Sequence, residues 1–193
     1  MAAMALPPLE QGRVYRTQDF ELWSSNPSRF AADLVEKGVL VQVTHGLFAC
    51  PKRSKFGVVP PGDDALMRAF LKGSPFVFTG PERWNALGLG ATAVFAAPLV
   101  YNTKRSGTVD LGGRLFELRR VAFPQAPSQE WFVVDLLENA DRAGTSRTEL
   151  AGALVRALAR GSFDRERLRE MAQRYGTKAT RDWVYSALRA SAV

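Results

Sequence analysis

Between Arg13 and Pro51 the chain sets a strand, two short helices and a hairpin one after another with almost no slack, and that spacing is what most limits its fold. Val14 and Tyr15 are strand formers, and Thr17 is placed to cap a helix beginning at Gln18. That helix turns Phe20 and Trp23 inward and stops at the polar run Ser24-Ser25-Asn26. Asn26 supplies a second cap, with Pro27 at the first helical position, where its missing N–H costs nothing. Phe30, Leu34 and Lys37 then recur at helical spacing and set one face inward, Lys37 lying along its edge by its aliphatic stem. Gly38 ends the helix by supplying a left-handed residue. Two β-rich runs follow, Val39 to Val43 and Leu47 to Cys50, joined by Thr44-His45-Gly46 in a hairpin connection. Strand, helix, helix and hairpin in this order predict a winged helix-turn-helix over residues 12–55. Such a module commonly puts its second helix into a DNA groove and its hairpin against the neighbouring backbone.

These residues also carry a family resemblance. VYRTQDF, followed by LxxxGVLxxVTHGLFACP, resembles the N-terminal part of the AbiEi-like antitoxins, transcriptional regulators of type IV toxin–antitoxin systems. The resemblance continues into PGDDALMRAFL, ERWNALGLGATAV, GTVDLGGRLFELRRV and LARGSFDRERLREMAQRYGTKATRDWVYSAL. It implies a DNA-binding winged helix, a C-terminal α/β domain, and a role in countering a nucleotidyltransferase toxin. One departure stands out. Winged helices usually open with a helix that completes their small core, whereas Pro7-Pro8 forbid an ordinary helix running through the preceding residues. Without it the module buries too little surface to stand alone. It is therefore expected to pack on the C-terminal part or on a second subunit.

Downstream, PKRSKFGVVPPGDD is rich in Pro, Gly and Lys and reads as a linker. Asp63 or Asp64 is placed to cap a helix running to about Lys72, Pro75 to Thr79 reads as a buried strand, and Pro81 opens a short helix stopped by Gly88 and Gly90. Thr92 to Asn102 resumes β character, and TVDL and RLFELRRV flank Gly112-Gly113 as a hairpin. Helices are expected to start at Ser128, Ser146, Asp164 and about Thr177. The expected class is α+β: a winged helix-turn-helix, then a small mixed α/β domain over residues 62–193 that ends in a helical layer.

The inventory of reactive groups points away from catalysis. The single histidine, His45, has no carboxylate or thiol at metal-ligand spacing, so no metal site is expected. The single cysteine, Cys50, lies in an apolar strand and reads as a small buried hydrophobe, consistent with a reducing cytoplasm. Gly88-Leu89-Gly90-Ala91-Thr92-Ala93 fits a dinucleotide-binding pattern with Asp110 at the distance of a ribose-binding acid, but a helix precedes it where a strand is required. No cofactor is expected. No apolar run is long enough to span a membrane, and the first residues lack the basic start and apolar centre of a signal peptide.

Net charge of +7 favours an acidic partner, yet it divides as +2 through residue 60, +3 over 61–126 and +2 beyond, so no segment of that length stands out. The nucleic-acid candidates form two groups. Ser24, Ser25, Asn26, Ser28 and Arg29 cluster at the start of the second helix, where side chains reach base edges. Lys52, Arg53 and Lys55 at the base of the hairpin, Arg13 and Arg16 beside the first strand, and His45 at the hairpin tip would meet phosphates. The leading expectation is an antitoxin that binds double-stranded operator DNA and represses its own operon. A homodimer on an inverted repeat is expected of such regulators. The alternative is a protein-interaction antitoxin or regulatory module whose winged helix is vestigial and no longer binds DNA.

Overall fold

Phe20 is the hub of the first part of the chain. Its ring is fully buried and lies 5.8 Å from Tyr15, 6.0 Å from Phe30, 5.9 Å from Phe48 and 6.2 Å from Trp23, so one side chain joins strand, turn, helix and hairpin. Aromatic contacts of this kind add to the area they bury. The computed structural model describes residues 7–55 and 57–192, with Arg53 described by its backbone. Residues 1–6, read above for a leader, lie outside the described residues. By residue contacts the chain divides into two compact units. One runs to Phe76 and includes Thr108–Phe116; the other comprises Val77–Gly107 and the residues from Glu117 onward.

In the first unit β1 (Val14–Arg16) leads into a 3-10 helix over Thr17–Leu22, then α1 (Pro27–Glu36), β2 (Val41–Thr44) and β3 (Leu47–Ala49). The three strands form an antiparallel sheet in the order β1-β3-β2, with Val14 opposite Ala49 and Val41 opposite the other side of the same residue. A bulge between Gln42 and Thr44 twists β2 as it approaches the turn. Phe30, Ala31 and Leu34 of α1 close over this sheet together with Tyr15, Leu40, Phe48 and Cys50.

Several local expectations are corrected here. The first helix is a 3-10 turn, and Asp19 Oδ2 accepts the Arg16 N–H at 2.7 Å where Thr17 was expected to cap. Ten residues separate β1 from α1, and the polar run Ser24-Ser25-Asn26 limits the helical part to six, a length common for 3-10 turns. The supposed linker is a second antiparallel hairpin, β4 (Lys52–Ser54) with β5 (Gly57–Val59). Gly62, with no side-chain cap, precedes α2 (Asp63–Phe70), because Asp63 is turned instead to an ion pair with Arg114 at 2.7 Å. α2 packs on β1, and the Gly112 N–H donates to Val43 C=O at 3.0 Å. The first unit therefore extends beyond the expected boundary at residue 55 and takes in α2 and a later turn.

The second unit is built around α4 (Gln129–Glu138), in which Trp131, Val133, Val134, Leu136 and Leu137 are all buried. A helix buried on nearly every side, Glu130 and Asp135 included, must be central. Around it stand α3 (Pro81–Asn85), α5 (Arg147–Ala159), α6 (Arg165–Tyr175) and α7 (Lys178–Ala190). β6 (Phe76–Thr79), β7 (Leu99–Asn102), β8 (Gly107–Asp110) and β9 (Leu115–Arg120) form a four-stranded sheet in the order β6-β7-β9-β8, with β7 and β9 parallel; β7 lies wholly in this unit, whereas most of β8 and the start of β9 fall among the residues of the first. Ser128, Ser146, Asp164 and Thr177 each accept a backbone N–H from the first turn of α4, α5, α6 and α7, at the four expected positions. The class is α+β, helices with small sheets. Among the described residues no helix is long and apolar enough to cross a membrane.

Candidate nucleic-acid interface

The start of α1 is an open edge. Asn26 Oδ1 accepts the Arg29 N–H at 3.2 Å, and Ser24 Oγ accepts the Asn26 N–H at 3.1 Å, so both polar side chains help to define where the helix begins. Ser25, Asn26, Ser28 and Arg29 are nevertheless exposed, and Ser24 is half-buried. One end of one helix thus presents two hydroxyls, an amide and a guanidinium to solvent, while Phe30 and Leu34 hold its other face against the sheet. Unsatisfied N–H groups at a helix start favour anions, and Asn and Arg have the donor patterns that pair with adenine and guanine edges.

The hairpin candidates separate into two places. His45 is exposed in the β2–β3 turn, whose tip is folded back on the 3-10 segment: Gly46 C=O accepts the Thr17 N–H at 3.1 Å. Lys52 and Lys55 are exposed on the β4–β5 hairpin, and Arg53 sits opposite Val58 in its register. That second hairpin also exposes Val58 (62%) and Val59 (41%). A two-stranded ribbon is marginal by itself, so an open one with apolar flanks is suited to lying against something else. Arg13 and Arg16 are less available. Arg13 pairs with Glu10 at 2.9 Å and lies 5.0 Å over the Tyr15 ring, and Arg16 donates to Gln18 Oε1 at 2.6 Å.

The other sequence candidates take structural places. Cys50 is buried, and burial pushes its thiol pKa up, which suppresses the thiolate. Gly88 and Gly90 adopt positive φ after the short α3, and an irregular stretch follows them, with no helix start. Asp110 Oδ1 accepts the Gly113 N–H at 2.7 Å within the β8–β9 turn. Among the described residues no group of three or more His, Cys, Asp and Glu side chains is arranged to hold a metal.

What the sequence reading missed is a buried polar cluster in the second unit. Asp135 is 4% exposed, and its Oδ2 accepts from Thr79 Oγ1 and, at 2.7 Å, from Trp84 Nε1. Asn139 Nδ2 donates to Tyr101 Oη at 3.0 Å and to Asp135 Oδ1 at 3.2 Å, and its Oδ1 accepts from Arg119 at 3.0 Å. Burial pushes the Asp135 carboxyl above its ordinary range, and burial together with that carboxylate raises Tyr101 far above the usual phenol. Beside the cluster Arg142 grips Glu117 through two bonds of 3.0 and 2.8 Å and holds its carboxyl below the ordinary range. The partners of Asp135 lie on β6, α3, β7 and at Asn139 just past α4, so the cluster ties the helices to the sheet.

No protein-family profile matches the chain, and no curated protein matches it. Its fold is similar to that of a solved structure, the RV2827C protein from Mycobacterium tuberculosis, with a TM-score of 0.52 and 16% identity over 93% of this chain and 72% of that one. At that identity the likeness speaks for the fold alone.

Proposed function

We propose that the first unit is a winged helix-turn-helix and that the protein is a DNA-binding regulator resembling the AbiEi-like antitoxins. In this reading α1 enters the major groove by its start, and the basic β4–β5 hairpin follows the phosphates. The observation that carries the reading is the exposure of Asn26 and Arg29 at the end of a helix whose opposite face is fixed in a core. Asp33 is half-buried and Glu36 exposed further along the same helix, and both would repel a backbone. Only the first turn of α1 therefore approaches the duplex. The biological setting, autorepression of an operon and the countering of a nucleotidyltransferase toxin, rests on the resemblance of the motifs, as does dimerisation on an inverted repeat.

The test is a titration of the full chain against duplex DNA from upstream of its own gene at several salt concentrations. Changing Lys52, Arg53 and Lys55 together to Ala should weaken binding on all sequences and lower the salt slope by about 1 for each phosphate no longer neutralised. Arg29→Ala should cost about 1–3 kcal/mol and relax the sequence preference. Unchanged affinity in both variants would remove the proposed face. A protein-interaction role with a vestigial winged helix is favoured by the commitment of Arg13 and Arg16 to neighbours within the unit. It predicts that the full chain shifts no DNA yet still rescues growth when co-expressed with a neighbouring nucleotidyltransferase.

A further inference from the structure

The even spread of charge holds only over long windows. From Arg160 onward the chain has eight basic and four acidic residues, whereas residues 127–159 have three basic and five acidic ones. The excess belongs to α6 and α7. These two helices run antiparallel: Tyr185 Oη donates to Gln173 at 2.8 Å, and Arg165 at the start of α6 donates to Leu188 C=O and to Ser191 Oγ at the end of α7. Arg165 thereby satisfies a carbonyl that the helix end leaves without a partner, and it offsets the negative pole of α7.

Between these helix ends lies a cavity of about 560 Å³ lined by Arg165, Arg169, Tyr185, Leu188, Arg189 and Ala192. None of its lining residues is acidic. Arg169 pairs with Glu166 at 2.6 Å, and Arg189 has no ion-pair partner among the described residues. With Arg169 held by Glu166 and Arg165 turned to the Leu188 carbonyl, Arg189 keeps its charge open to an incoming anion. Guanidinium also favours carboxylate, which it meets through two parallel bonds. The floor is different in kind. Ala192 and the half-buried Tyr185 ring, set over the buried Leu188, offer a small apolar area that a phosphodiester chain cannot use.

We propose that this groove docks an acidic polypeptide segment in which an apolar side chain is flanked by carboxylates. The apolar residue fills the floor between α6 and α7, and the carboxylates meet Arg189 and Arg169 at the rim. The site is independent of the DNA reading, which uses neither helix.

The experiment uses the full chain and a fluorescein-labelled peptide of Glu residues flanking a central Leu-Phe pair, followed by fluorescence anisotropy at low salt. Expected are saturable binding, a loss of about tenfold or more in Arg189→Glu, as for a charge-assisted hydrogen bond removed, and a smaller loss in Arg169→Gln. The same peptide with Lys in place of Glu should not bind the native chain. Circular dichroism of both variants should match the native protein, since both side chains are exposed. The proposal fails if the acidic peptide shows no saturable binding, or if both variants bind it as well as the native chain. It is also overturned if Arg189→Glu abolishes binding of an oligonucleotide that Arg29→Ala leaves intact, which would make the groove a nucleic-acid site. Self-association of the native chain in sedimentation, lost in Arg189→Glu, would assign the groove to a second copy instead, with the exposed Glu21-Leu22 pair as its occupant.

Discussion

Asp135 stabilises its unit through several neighbours at once, and its removal leaves each of them stranded. In Asp135→Ala, Thr79 and Trp84 lose the acceptor of a buried hydrogen bond. The cost of unsatisfied buried donors is about 1–3 kcal/mol each. Denaturant unfolding of this variant should show a loss of that order or more, and a change within error would mean that water or rotation replaces the lost acceptor. Two carboxylates give opposite pH signatures. Glu117 is held below its ordinary range by Arg142, so its contribution is complete above the unfolded carboxylate pKa and is lost as pH falls through the folded one. Asp135 is raised by burial, so its contribution is complete below the unfolded pKa and is lost as pH rises through the folded one. Melting temperature followed from acid to neutral pH should therefore lose part of its acid-side fall in Glu117→Gln. In Asp135→Asn it should lose part of the decline on the neutral side. The same slopes in variants and native protein would contradict both assignments.

Among the elements, α1 is where the proposed recognition would share a residue with stability. Asn26→Ala removes the cap and should lower stability by about 1 kcal/mol, whereas Asn26→Ser retains a capping oxygen. If Asn26 also reads a base, Asn26→Ser should keep the native melting temperature and yet lose discrimination among operator sequences. Retained discrimination would leave Asn26 a cap and nothing more. Capping is local chemistry, which is why Asn26, Ser128, Ser146, Asp164 and Thr177 could be placed from the chain alone. The β4–β5 hairpin could not, because proline, glycine and lysine at its ends carry the composition of a linker while Val58 and Val59 face solvent. The apolar spacing over Thr17–Leu22 fits either helix type over so short a run, so it does not distinguish a 3-10 turn from an α-helix.

At the scale of the molecule, what escaped the sequence was whatever depends on distance along the chain. The partners of Asp135 lie as far as 56 residues away, and no periodicity connects them. The basic character of α6 and α7 vanished into an average because the acidic stretch just before it cancels it. The boundary near residue 55 likewise followed chain order, whereas the first unit recruits α2 and then the turn around Gly112. Each unit has its own buried cluster, and regions with separate clusters open with separate free energies. Hydrogen exchange should separate the amides of Phe30–Leu34 from those of Trp131–Leu137, with the second group slower; a single common rate would show one cooperative block.

That recruitment has a consequence for synthesis. When a nascent chain has emerged from the ribosome as far as Phe76, the winged-helix candidate already has its strands, but Asp63 still lacks Arg114 and Val43 still lacks the Gly112 N–H. These last two fastenings arrive some 40 residues later, at about 5–20 residues per second. For several seconds the segment that would grip an operator is complete in outline and unfastened on one side, which is when a chaperone or protease would meet it.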